Sequence, residues 1–164
     1  MHANPDDEIV GGELRDFTEP GMHITWLVHD PEAFLVSPGP TSERDRLLHF
    51  GLTYQEWKNL YFDVLAVHQT GRAKVRKESD SRNIVISEFD ESEPRLKEYP
   101  MLSRIRGILH DAVFEVDEVE PLRQECIRVK TLTTDKVALR GLDKLLLICR
   151  WAKKLDLNIY LMAD

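Results

Sequence analysis

Apolar residues recur at helical spacing in three stretches of the chain, and the first covers residues 54–69. Thr53 and Glu56 stand at capping-box spacing, so each side chain can accept from a free backbone N–H at the helix start. Leu52, just before the cap, is placed to pack on Trp57 as a hydrophobic staple. Gly71 suits the left-handed residue that ends a helix. The apolar face repeats at intervals of three and four residues: Trp57, Leu60, Tyr61, Val64, Leu65, His68.

Two further helices are predicted in the C-terminal half. Asp117, followed by Glu120, is the predicted cap of the first. Thr134 or Asp135 is the predicted cap of the longest helix, over residues 136–154. The apolar positions of these two helices are Val119, Leu122, Cys126 and Val129, and Ala138, Leu142, Leu145, Cys149 and Ala152.

Strand-like segments separate these helices. Residues 22–28 and 157–162 are rich in β-branched, aromatic and aliphatic side chains, and residues 112–116 alternate. Residues 72–77 and 83–89 lie on either side of a segment of turn-forming residues, and this arrangement predicts a hairpin. Residues 33–36 suit either a second strand or a helical turn. Short helices are predicted over residues 42–50, which Ser42 caps, and after Pro100.

The order of these elements predicts an α+β fold in which a mostly antiparallel sheet of 4–6 strands packs against 4–5 helices. We expect residues 21–164 to form this single domain. Residues 1–20 carry six acids against one arginine, which predicts a flexible acidic arm.

Composition and charge narrow the function classes. The chain has 164 residues, 42% hydrophobic and 31% charged, and its acidic start lacks the basic and apolar regions of a signal peptide. We therefore expect a cytoplasmic protein that does not enter a membrane, with Cys126 and Cys149 as small core residues. The net charge of −7 favours basic partners and argues against broad binding to nucleic acid.

No motif for a catalytic site, metal site or cofactor is recognisable, so no cofactor or metal is predicted. The adjacent pairs His29-Asp30 and His110-Asp111 lie beside predicted strand ends, where catalytic groups are common. Neighbouring residues of an extended backbone point to opposite faces, which weakens both pairs as working dyads. They remain the first candidates for an enzyme whose site is assembled from distant residues.

The first functional hypothesis is a non-enzymatic protein-binding module with an acidic surface. Residues 111–125 hold six acids against Arg123, and a second acidic segment precedes Pro94. Such a surface suits a basic protein partner, because long-range attraction speeds encounter. Inhibitors and immunity proteins of bacterial toxins fit this size and charge. The candidate contact residues are Glu88, Asp90, Glu91, Glu93, Asp117 and Glu118.

The alternative partner is a nucleic acid bound by the predicted basic hairpin. Alternate residues of a strand share a face, so a row of cations there suits phosphates. The same charges also suit an edge strand protected from unwanted pairing, and acids nearby dilute the patch. The residues concerned are Arg72, Lys74, Arg76, Lys77 and Arg82.

Overall fold

The computed structural model describes residues 21–66, 74–77, 83–86, 94–107 and 109–163, and it confirms the α+β fold. Six strands lie in two sheets. The main sheet has the order β2-β1-β6-β5, and every pair of neighbours in it is antiparallel. β3 and β4 pair with each other in a separate hairpin, as the sequence predicts. The strands are β1 His23–Val28, β2 Arg46–Leu48, β3 Lys74–Lys77, β4 Asn83–Ile86, β5 Ala112–Phe114 and β6 Asn158–Ala163.

Four α-helices accompany the sheet in the described residues. They are α1 Pro31–Val36, α2 Tyr54–Lys58, α3 Val116–Lys130 and α4 Lys136–Leu155. α2 continues as a π-helix over Asn59–Val64, and short 3-10 turns cover Pro94–Glu98 and Leu102–Arg104. No helix in the described ranges combines the length and apolar character needed to cross a bilayer.

The main core lies between one face of the sheet and the helices α2, α3 and α4. Leu27, Ile159 and Leu161 contribute from the two central strands. The predicted apolar stripes of α3 and α4 meet them, and both cysteines are buried there as free thiols. Burial raises the pKa of Cys149 to about 12, so the thiol is a small apolar core group at neutral pH.

The helix predicted over residues 54–69 begins as expected but changes its winding. The capping box is present: Thr53 Oγ1 accepts from Glu56 N at 3.1 Å, and a Glu56 carboxylate oxygen accepts from Thr53 N at 2.8 Å. After Lys58 the backbone widens to a π-helix, with Leu65 N donating to Leu60 O at 2.9 Å. The left-handed Ala66 follows, and His68 and Gly71 lie outside the described residues.

The helix predicted over residues 42–50 is wrong. The buried carboxylate of Asp45 accepts from the backbone N–H groups of His29, Thr41 and Ser42, at 2.7, 2.7 and 3.2 Å. These bonds fix a turn in place of a helix, because side chains of this kind compete with helical backbone bonding. The chain then enters β2, where Leu48 is buried and Leu47 is exposed.

The cap predicted at Asp117 is also wrong by two residues. Glu115 occupies the N-cap position of α3, and its backbone N–H donates to the carboxylate of Glu118 at 3.0 Å. Asp117 lies within the first turn, where its negative charge complements the helix dipole. The strand predicted over residues 112–116 therefore ends at Phe114. The cap predicted at Asp135 is confirmed, since its carboxylate accepts from Val137 N and Ala138 N.

Candidate functional site

The candidate acidic and basic residues lie only in part within the described residues. Asp117 is exposed and Glu118 half-buried at the start of α3. In the backbone register of the hairpin, Lys74, Arg76 and Lys77 of β3 pair with Ile86, Ile84 and Asn83 of β4. The remaining candidates, Glu88, Asp90, Glu91, Glu93, Arg72 and Arg82, lie outside the described residues.

The two His-Asp pairs lie at opposite ends of the main sheet. His29 and Asp30 follow the end of β1, where Val28 faces Asn158 of β6. His110 and Asp111 precede β5 at the other end of β6, beyond the pair Ala112 and Leu161. The sheet register separates the two ends by about 17 Å, at roughly 3.4 Å per residue. Within the described chain the four side chains therefore do not assemble one catalytic group.

Each of these pairs instead has local partners. The carboxylate of Asp30 caps α1 by accepting from Glu32 N and Ala33 N. Arg44 Nη1 donates to Nδ1 of His29 at 3.0 Å. At the far end, His23 Nε2 lies 2.9 Å from the carbonyl oxygen of His110. Asp30 is therefore a helix cap, and the His29 ring is held by Arg44.

The sheet face turned away from the main core is only partly covered, and we call it the open face. Strand alternation and register place Trp26 of β1 beside Leu47 and Tyr160, and Ile24 beside Met162. Val113 of β5 continues the same face next to Tyr160. The open face consists of Ile24, Trp26, Val28, Leu47, Val113, Tyr160 and Met162.

Helix α1 covers one end of the open face. The ring centroid of its buried Phe34 lies 5.2 Å from that of Trp26 and 4.9 Å from that of Tyr160. The next two side chains of the helix, Leu35 and Val36, are 63% and 87% exposed. On the sheet, Ile24 and Leu47 are 38% and 36% exposed. Exposed apolar side chains thus occur both on α1 and on the sheet face that it covers, and such residues are candidates for contact with another molecule.

Acidic residues border the open face along β5. Asp111 and Glu115 flank the strand, and alternation places both on the same side as Val113. The carboxylate of Asp111 accepts from Tyr160 Oη and from Ala163 N, both at 2.7 Å. Burial and this carboxylate raise the pKa of Tyr160 to about 12, which keeps the hydroxyl a donor. The rim of the open face is therefore negative at β5.

The rim continues into the start of α3 as a group of carboxylates. Oxygens of Glu115, Asp117 and Glu118 lie within 4.8 Å of one another, and Val116 is exposed among them. Arg104 forms an ion pair with Glu118 and donates to the carbonyl oxygen of Val113 at 3.1 Å. The hydrogen bond from Arg104 lowers the pKa of Glu118 and raises the pKa of the guanidinium. Both oxygens of Glu118 already accept hydrogen bonds, one from Arg104 and one from Glu115 N, which leaves these three carboxylates with fewer free oxygens than the six to eight that calcium takes.

Sequence reasoning missed a buried ion pair where α4 crosses α2. The fully buried ammonium of Lys144 lies 2.8 Å from the carboxylate of Glu56 and donates to Gly51 O at 3.1 Å. Arg140 Nε lies 3.4 Å from the other oxygen of Glu56. With these cations and the Thr53 N–H as neighbours, the Glu56 carboxylate is a structural group. Lys144 shares helical spacing with three buried residues, Gly141, Ile148 and Trp151, which was the available signal.

Comparisons with protein-family models, with curated proteins and with solved structures found no match. The surfaces of this chain are therefore the basis for assigning a function. The open face combines exposed apolar residues with carboxylates at its border.

Proposed function

We propose that the chain is a cytoplasmic, non-enzymatic protein-binding module that contacts a basic protein through the open face. The observation that carries the proposal is the exposure of aliphatic side chains on both α1 and the sheet, at Leu35, Val36, Ile24 and Leu47. Protein interfaces have an apolar centre that excludes water and a polar rim. The open face offers this arrangement.

The acidic rim supports a basic partner. Asp111, Glu115 and Asp117 are exposed at the border of the open face. The whole chain carries a net charge of −7, which adds long-range attraction for a cationic surface. An inhibitor or immunity protein that neutralises a basic toxin-like protein acts in this way. Further candidate contact residues, which lie outside the described residues, are Glu88, Asp90, Glu91 and Glu93.

Affinity capture with matched variants tests this function. The bait is the tagged full-length chain, incubated with nuclease-treated native lysate and analysed by quantitative mass spectrometry. The test variant carries Val36→Glu and Leu47→Glu, two exposed positions of α1 and the open face. The control carries Leu132→Glu, an exposed leucine at the turn after α3. Circular dichroism establishes that all three baits are folded.

We expect the unaltered chain and the Leu132 variant to retain one stoichiometric basic protein. The double variant should retain about tenfold less or none, since buried charges at an apolar interface are costly. Equal capture by all three baits would show that the open face is not the interface. Nucleic acid in the eluate, released by salt, would instead support the β3–β4 hairpin as the binding element.

A further inference from the structure

Helices α3 and α4 pack side by side, and two ion pairs show how their residues are aligned. Lys130 Nζ lies 2.7 Å from Asp143, and Lys153 Nζ lies 3.1 Å from Glu120. The two contacts are ten residues apart on both helices, so the helices are antiparallel and keep the same alignment between the two ion pairs. Residues between the ion pairs therefore lie opposite one another along the seam, which is the line of contact between α3 and α4.

This register places two pairs of like residues in the middle of the seam, one apolar and one cationic. Ile127 faces Leu146, and Arg123 faces Arg150. A groove of about 640 Å³ opens there, and we call it the basic groove. Its residues are Arg123, Ile127, Leu146, Arg150, Lys153 and Lys154.

The charge of the basic groove is opposite to that of the whole chain. Four of its six residues are cations. The Glu120 carboxylate contacts two of them, accepting from Arg123 at 2.9 Å and from Lys153 at 3.1 Å, and it also accepts from Gln124 at 2.9 Å. The lining of the groove is therefore mainly cationic, while the chain carries a net charge of −7.

The floor of the groove is aliphatic. Ile127 is 38% exposed and Leu146 is half-buried. The ring of Trp151 is buried, with Lys154 Nζ 4.9 Å from its centroid, so it offers no open aromatic surface. A ligand that fits must bring negative charge together with an aliphatic group of modest size.

We propose that the basic groove binds an acidic peptide segment of a partner protein, with an apolar side chain on Ile127 and Leu146. Carboxylates of the segment pair with Arg123, Arg150 and Lys154. Charge complementarity and the apolar floor support this occupant. Nucleic acid fits less well, because single strands use aromatic stacking platforms and this groove offers no open aromatic surface. A membrane surface is broad, whereas this site is a groove between two helices.

This surface is independent of the open face. The sheet packs one face against α3 and α4, and the basic groove lies on the outer side of those helices. The open face lies on the other side of the sheet. Loss of binding at one surface therefore leaves the other intact, and the two proposals fail separately.

Fluorescence anisotropy with a defined probe tests the basic groove. The probe is a labelled peptide with the sequence Glu-Glu-Leu-Glu-Glu-Leu-Leu-Glu-Glu, titrated with the full-length chain at low salt. A peptide with Gln in place of every Glu controls for apolar binding, and a short DNA duplex controls for a general polyanion. The variants are Arg123→Gln/Arg150→Gln, Ile127→Ser and Glu120→Gln. Lys136→Gln is the matched control, an exposed cation of α4 outside the groove.

The acidic peptide should bind more tightly than either control, and salt should weaken it. The double arginine variant should lose about tenfold in affinity and Ile127→Ser about threefold, with Lys136→Gln unchanged. Glu120→Gln should gain about threefold, because it removes the carboxylate that competes for the cations. Misfolding of the Glu120 variant would lower its affinity, so a gain of affinity is a direct effect of the substitution.

Three results would overturn the proposal. One is no binding of the acidic peptide at low salt. Another is a loss of affinity of equal size in the Lys136 variant. The third is preferred binding of the DNA duplex that the arginine variant abolishes, which would assign the groove to nucleic acid.

Discussion

Individual buried charges determine how this core is held together. Lys144 and Glu56 lie inside the α2–α4 contact, where removing water from each charge is costly unless the other is present. Glu125 of α3 is also buried, and it accepts from Met101 N and Leu102 N at 3.0–3.1 Å. Burial raises the pKa of this carboxyl group, while the two backbone donors stabilise its charged form. Each buried charge thus fixes the position of a backbone segment.

The Lys144–Glu56 pair predicts strong energetic coupling. Lys144→Met should lower the free energy of unfolding by about 3 kcal/mol, because it removes the buried cation closest to the Glu56 carboxylate. The double variant Lys144→Met/Glu56→Gln should lose clearly less than the sum of the two single variants. Urea denaturation of the four proteins gives the coupling directly. Additive losses would mean that the two side chains act independently.

At the scale of elements, α3 begins where several interactions meet. Its first turn contains the Glu118 carboxylate, which accepts from Glu115 N and pairs with Arg104. Arg104 also donates to the carbonyl oxygen of Val113, an acceptor on the edge strand β5. An edge strand whose backbone is occupied in this way is less available for pairing with another chain. One arginine therefore joins the 3-10 turn, β5 and α3.

The Arg104–Glu118 pair predicts a pH-dependent contribution to stability. The pKa of Glu118 is lower in the folded chain than its ordinary value of 4.5, so the contribution is present above pH 4.5. It is lost as pH falls through the folded pKa. Arg104→Gln should cost about 1 kcal/mol or less at pH 7, because both side chains are partly exposed, and it should cost less at pH 3 than at pH 7. Urea denaturation of both proteins at the two pH values checks this, and an equal difference at both would contradict it.

The elements with a local cause could be predicted from the sequence. The capping box at Thr53 and Glu56, the cap at Asp135, the stripe of α4 and the β3–β4 hairpin all depend on nearby residues. Strand β2 could not be predicted in this way. The turn before it is fixed by the Asp45 carboxylate, which accepts from the backbone N–H of His29, sixteen positions earlier in the chain. The start of α3 could not be predicted either, because it depends on Arg104. This residue pairs with the Glu118 carboxylate, which accepts from the backbone N–H of the N-cap residue Glu115.

The candidate site was predictable only in its charge. The sequence identifies Asp117 and Glu118 as part of an acidic surface, and the structure places both at the start of α3. The apolar part of the open face could not be predicted from the sequence. Strand order places Ile24 and Leu47 on one face of the sheet, and α1, which carries Val36, packs against that face through Phe34. The basic groove was hidden for the same reason, since Arg123 and Arg150 face each other only through the helix register.

At the scale of the whole molecule, charge and apolar exposure are divided between two sides. One side presents the open face with Asp111, Glu115 and Asp117 at its border. The other presents the basic groove on the outer surface of α3 and α4. The core between them is continuous from the sheet to the helices. A protein with this arrangement can contact a basic partner on the sheet side and leave the helix side accessible.

The most direct test of the central claim is photo-crosslinking from the open face in living cells. A photoreactive amino acid replaces Val36, Leu47 or, as a control, Leu132, three exposed positions. We predict that Val36 and Leu47 give a covalent adduct with the same basic protein and that Leu132 gives none. The absence of adducts at Val36 and Leu47, or the same adducts at all three positions, would contradict a protein-binding role for the open face.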